Sequence, residues 1–149
     1  MGRADELRQN LVSVALEWEQ YFGVGPNITS VISEWDAAKL VGMNESEYCK
    51  DGQKRTAVTK GFDFFYNEIR YQVTANRPSG KKGSKVTLVK QKTEKNGPFG
   101  WDRLIWILYD GSYEIQEAWE FSAEQYRQEF SAFTRLSPCH MRKGKTLLA

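Results

Sequence analysis

Four side chains carry the chemistry that this sequence offers: Glu34, Asp63, Gln72 and Thr74. From residue 61 onward apolar and polar positions alternate. Phe62, Phe64 and Tyr66 interleave with Asp63 and Phe65, and Ile69, Tyr71, Val73 and Ala75 interleave with Arg70, Gln72, Thr74 and Asn76. A period of two is that of a β-strand, and Asn67-Glu68 is the two-residue connection of a tight hairpin. Pairing about that turn sets Asp63 opposite Gln72, with Cβ atoms about 4.5–5.5 Å apart. Thr74 then projects from the same face, while Phe62, Phe64, Tyr71 and Val73 form the core face. Upstream, Glu34 shares a helical face with Val31, Ala37, Ala38 and Val41, where a carboxylate is unwelcome unless it is paired or holds a cation. A hard divalent ion such as Mg²⁺, for which Mn²⁺ can substitute, takes a few oxygen ligands, and Glu34, Asp63 and the Gln72 amide could supply them. The plainer alternatives are a cross-strand hydrogen bond between Asp63 and Gln72, and a Glu34 paired with Arg or Lys.

The elements that must position these residues can be read from spacing. Residues 4–22 place Leu7, Leu11, Val14, Ala15, Trp18 and Phe22 three and four apart, the stripe of an amphipathic helix ended by Gly23 and Gly25-Pro26. A second helix is predicted over 31–41, with Thr29 or Ser30 as its N-cap and Gly42 near its end. Residues 44–60 are polar and without clear period, and read as a loop or irregular lobe. After the hairpin comes a Gly-, Pro- and Lys-rich loop, then a short strand within 85–91. The nearly continuous apolar run 103–109 is predicted to be a strand buried on both faces. Asp110-Gly111 turns the chain into a strand over 113–121, and Ser122 caps a helix to about residue 130 with Gln125 at the capping-box position. This order predicts a single α+β domain over 1–149, with helices on one mixed or antiparallel sheet. Residues 1–28 are its N-terminal helix and linker, 29–131 its core and 132–149 a basic C-terminal tail.

With those elements in place, the residues resemble the PD-(D/E)xK nucleases, the restriction-endonuclease-like superfamily. There a helix glutamate precedes a hairpin with Asp on one strand and (D/E/Q)-x-K on the next. The counterparts are Glu34 in SEWDAAKLVGM, Asp63 in GFDFF and Gln72-Val73-Thr74 in RYQVTANRPSG, so the resemblance spans roughly residues 30–119. It implies a restriction-endonuclease-like core that binds DNA and hydrolyses its phosphodiesters with Mg²⁺, the acids holding the metal and the lysine assisting the attacking water. Thr74 stands where the lysine belongs. A hydroxyl is uncharged and shorter, so hydrolysis would be weakened roughly 10²–10⁴-fold or lost. Three explanations stay open: a natural non-catalytic descendant, a substitution introduced to silence the site, or Lys81, Lys82 or Lys85 reaching back from the loop.

Charge distribution bears on the partner. The net charge is only +2, but residues 70–95 hold eight basic residues against the single acid Glu94, and 135–145 add Arg135, Arg142, Lys143 and Lys145. This is the footprint of a polyanion or of lysines kept for solubility. On the first reading Arg77, Lys81, Lys82 and Lys85 contact the phosphate backbone. The tail could clamp phosphates or fray in solvent. Trp101, Trp106, Tyr109, Tyr113 and Trp119 are expected to be core, not a base-stacking platform. Cys49 and Cys139 are isolated and read as plain thiols, and the lone His140 leaves no pair for histidine-based chemistry. No apolar run approaches the ~20 residues of a membrane span and the N-terminus has no signal-peptide pattern, so a soluble, cytoplasmic protein without a membrane partner is expected. Homodimerisation would suit a double-strand cutter. A different class of function fits as well: a non-enzymatic interaction module on the same scaffold.

Overall fold

The computed structural model describes residues 2–54, 61–78, 88–89, 100–133 and 135–148. In chain order these form α1 (Arg3–Phe22), α2 (Thr29–Leu40), α3 (Glu45–Lys54), β1 (Phe64–Tyr66), β2 (Ile69–Asn76), β3 (Leu88–Val89), β4 (Arg103–Tyr109), β5 (Ile115–Ser122), α4 (Ala123–Phe130), β6 (Arg135–Leu136), α5 (Pro138–Met141) and β7 (Lys145–Thr146). Five strands make one sheet in the order β1-β2-β4-β5-β7, and β3 pairs with β6 in a separate ladder. Within the larger sheet β2 and β4 run parallel and the other pairs run antiparallel. The architecture is thus α+β, with a five-stranded mixed sheet and flanking helices.

The hairpin has the expected register: Phe64 pairs with Tyr71, Phe65 with Arg70 and Tyr66 with Ile69. Asn67 and Glu68 both have positive φ, 52° and 62°, which is the backbone of a type I′ turn whose twist matches that of the strands. β4 is central, and its alternate side chains enter two different cores. Ile105 and Ile107 pack with Tyr71, Val73 and Phe64, and α2 covers that face with Ile32, Trp35, Ala37 and Ala38, backed by Val12 and Ala15 of α1. Leu104 and Trp106 enter the other core, with Phe121, Tyr126, Phe130, Leu136 and Met141. Burying both faces is what the continuous apolar run required.

Several expectations change. Residues 45–54 are helical, because Asn44 and Glu47 form a reciprocal cap: the Asn44 side chain accepts the Glu47 N–H at 2.8 Å and the Glu47 carboxylate accepts the Asn44 N–H at 3.1 Å. α2 starts after Ile28, with no side-chain cap from Thr29 or Ser30. The stripe Leu7, Leu11, Val14, Trp18 and Phe22 of α1 is exposed, and Val12 and Ala15 face the domain instead. β5 begins at Ile115 because Tyr113 sits at φ 65° and its carbonyl accepts from Arg8. The C-terminal segment is folded: Leu136 and Met141 are buried, β7 extends the sheet, and the Arg142 guanidinium donates twice to Glu117. Phe62 packs on the second core, not the first, since the strand starts only at Phe64. Trp101, Trp106, Tyr109 and Tyr113 are buried as expected, and Trp119 is half-buried.

Candidate functional site

Asp63 enters the hairpin from a tight crossing. Gly61, at φ 94°, lies so close to Gly100 that a Cβ on Gly100 would fall 2.8 Å from the Gly61 Cα. Only two glycines allow this approach, and it delivers Asp63 to the end of β1. There the Asp63 N–H donates to the Tyr71 carbonyl at 2.7 Å, and the Asp63 carboxylate accepts the Val73 N–H at 2.7 Å. The carboxylate therefore takes over an amide that β1 no longer reaches, satisfying a half-buried donor that would otherwise lack its ladder partner. That amide belongs to the residue between Gln72 and Thr74, so the Asp63 carboxylate lies at the backbone of β2 between those two residues.

Alternation settles where the last two point. Gln72 pairs with Leu104 and Thr74 with Trp106 in the parallel ladder, so both half-buried side chains share the face of the second core. On the same face the Asn76 side-chain oxygen accepts the Trp106 indole N–H at 2.8 Å. The face that carries Gln72, Thr74 and Asn76 is edged by aromatic packing. Glu34 is half-buried on α2, which packs against Tyr71 and Val73. It is thus attached across the sheet from Gln72 and Thr74.

The basic residues divide. Lys81, Lys82 and Lys85 lie outside the described residues. Arg77 is described, and it is a structural clamp in place of the expected phosphate contact. Its guanidinium donates to both Glu19 oxygens at 2.9 and 3.1 Å and to the Gly111 carbonyl, lies 4.3 Å from the Tyr113 ring centroid, and leaves the side chain only 13% exposed. Those hydrogen bonds hold the Glu19 carboxyl below the usual range. Arg70 is similarly engaged, donating to Asp102 from its backbone and guanidinium and lowering the Asp102 pKa.

The acid that sequence reasoning missed is Asp36. It is 5% exposed, accepts two hydrogen bonds from Arg8 at 2.7 and 2.9 Å, and accepts the Tyr109 hydroxyl at 2.5 Å. Burial first, and the neighbouring carboxylate second, drive the Tyr109 pKa upward. Asp36 also lines a recess of about 420 Å³ with Asp5, Arg8, Lys39 and Glu114, which no hairpin residue enters. Its two lining acids from the helices are matched by cations, since Asp5 is bound by Lys39 at 2.8 Å. The signal available was a second acid two residues after Glu34 in SEWDAAKL, but spacing alone could not say which acid pointed inward.

Among the described residues no group of three or more His, Cys, Asp or Glu is placed to hold a metal ion. Of Glu34, Asp63 and Gln72, the Asp63 carboxylate is bound to the backbone of β2 next to Gln72, and Glu34 lies across the sheet. No helix among the described residues is long and apolar enough to cross a membrane. No family model matches this chain, and no curated protein matches it in sequence.

Proposed function

We propose that this protein binds DNA through a PD-(D/E)xK-like hairpin whose hydrolytic activity is weakened or lost because Thr74 occupies the lysine position. The observation that supports the reading is the Asp63 carboxylate hydrogen-bonded to the amide between Gln72 and Thr74, in the hairpin register that the motif requires. On this reading Asp63 and Gln72 would hold Mg²⁺, and Glu34, carried by the helix across the sheet from Gln72, would stay outside its shell. The ion would supply polarisation of a phosphate and a more acidic water. The chain's own contribution is to orient: the Val73 N–H fixes one carboxylate oxygen of Asp63, and the Gly61–Gly100 crossing fixes the backbone before it. Thr74 brings a hydroxyl to the place where the motif has an ammonium, so no charge offsets a developing hydroxide. DNA contact would fall to Lys81, Lys82 and Lys85, Arg77 being committed to Glu19.

The test is Thr74→Lys, assayed for nicking of plasmid DNA with Mg²⁺ or Mn²⁺. A gain of about 10²-fold or more over the parent is expected, the usual scale for one catalytic group. No gain, together with no Mn²⁺ binding by the parent in calorimetry, overturns the reading. A non-enzymatic interaction module is the second reading, favoured by the exposed apolar face of α1. Salt separates the two, because binding through several phosphate contacts weakens steeply with ionic strength and an apolar interface hardly responds.

A further inference from the structure

α1 carries two stripes with different partners. Asp5, Arg8, Val12, Ala15 and Glu19 face the domain: Asp5 pairs with Lys39, Arg8 with Asp36, Glu19 with Arg77, and the two small apolar residues are buried between them. Those three ion pairs set the rotation of the helix about its axis. The other stripe is Leu7, Leu11, Val14, Trp18 and Tyr21, spaced four, three, four and three, and every member is exposed. A 4-3-4-3 apolar repeat is the a/d seam of a coiled coil, with a period that keeps one line of side chains against a second helix. Among the described residues nothing else needs that period, since the domain-facing stripe is held by ion pairs and by the buried Val12 and Ala15.

The patch is also large enough. Covering an aromatic side chain buries about 150–250 Å², so Trp18 (51% exposed), Tyr21 (83%) and Phe22 (63%) offer on the order of 400 Å². Leu7, Leu11 and Val14 extend this toward the ~800 Å² that each partner buries in an interface of standard size. A groove of about 340 Å³ between Val14, Glu17, Trp18, Tyr21 and Phe22 offers a hole for a knob from the facing helix.

We propose that this face of α1 binds a second copy of the same chain, as an antiparallel helix pair about a two-fold axis. A two-fold interface must be self-complementary. Antiparallel pairing of this seam sets the smaller Leu7 against Trp18 and the similar-sized Leu11 against Val14, and places Glu17 beside Asn10. Parallel pairing would stack Trp18 on Trp18 and bring Arg3 against Arg8. The proposal is independent of the hairpin reading: loss of dimerisation leaves the Thr74→Lys assay as it was, and failure of that assay leaves the mass of the particle unchanged.

The experiment is sedimentation equilibrium of the full chain across the micromolar range. A mass approaching twice the 17.2 kDa of the chain is expected, insensitive to salt. Trp18→Glu and, separately, Val14→Lys should give monomers with unchanged far-UV circular dichroism, since both side chains point away from the domain. A monomeric wild type overturns the proposal whatever the variants do, and so does a dimer that both variants leave intact. Binding of the wild-type monomer to phosphatidylcholine vesicles, with a blue shift of tryptophan emission, overturns it in favour of a lipid surface.

Discussion

Asp36 shows how one buried charge can organise two helices. It lies almost without solvent between Arg8 and Tyr109, and removing one partner of such a pair leaves the other charge uncompensated. Asp36→Ala is therefore expected to destabilise the protein by about 3–5 kcal/mol, read as a lower midpoint in urea unfolding at an unchanged slope. Glu34, the acid singled out from the sequence, is only half-buried. The two lie two residues apart on one helix, and which of them is enclosed depends on what packs over α2. Glu68 illustrates the opposite sign of effect. At φ 62° it occupies a left-handed conformation that costs an L-residue about 1 kcal/mol or more, whereas glycine enters it freely. Glu68→Gly should stabilise by up to about 1 kcal/mol and raise the melting temperature by several degrees in calorimetry.

At the scale of elements, α1 and the C-terminal segment are held to the sheet by carboxylate–cation pairs. Hydrogen bonds from Lys39, Arg77 and Arg142 hold the Asp5, Glu19 and Glu117 carboxyls below their ordinary values, and Arg70 does the same for Asp102. Folded pKa values below unfolded ones mean that the native state binds fewer protons in that range, so the stabilisation is complete above the ordinary values of 3.8 and 4.5. It is lost as the pH falls through the folded values. Chemical denaturation from pH 7 to pH 2 should accordingly give stability that declines only below about pH 4.5, the ordinary glutamate value. Glu19→Gln should decline less over that range, and an equal decline would show that the Arg77 pair contributes nothing. The α3 cap, Asn44-x-x-Glu47, falls in a segment read as a loop, whereas the Ser122 cap, which accepts the Gln125 N–H at 3.1 Å, was read correctly.

For the molecule as a whole, β4 is the strand on which both cores depend, since its alternate residues enter opposite sides of the sheet. Neither core can be lost without exposing it. The amides of β4 should therefore exchange with deuterium only through global unfolding and be the slowest in the chain, while those of α1 exchange earlier. Mass spectrometry of peptides from native-state exchange checks this, and fast exchange in β4 would mean that the two cores open separately.

What the sequence determined by itself is local or strongly periodic. The hairpin register follows from a two-residue turn and strict alternation, the double burial of residues 103–109 from an unbroken apolar run, and the start of α4 from one serine. Each depends on neighbours within a few residues. Tertiary structure alone decided the rotation of α1 and α2, the commitment of Arg77 to Glu19, and the placing of Gln72 and Thr74 on the sheet face away from α2. Those outcomes rest on partners tens of residues away: an amphipathic pattern tells that a helix has an apolar side, but ion pairs with Asp36, Lys39 and Arg77 choose which side is turned inward.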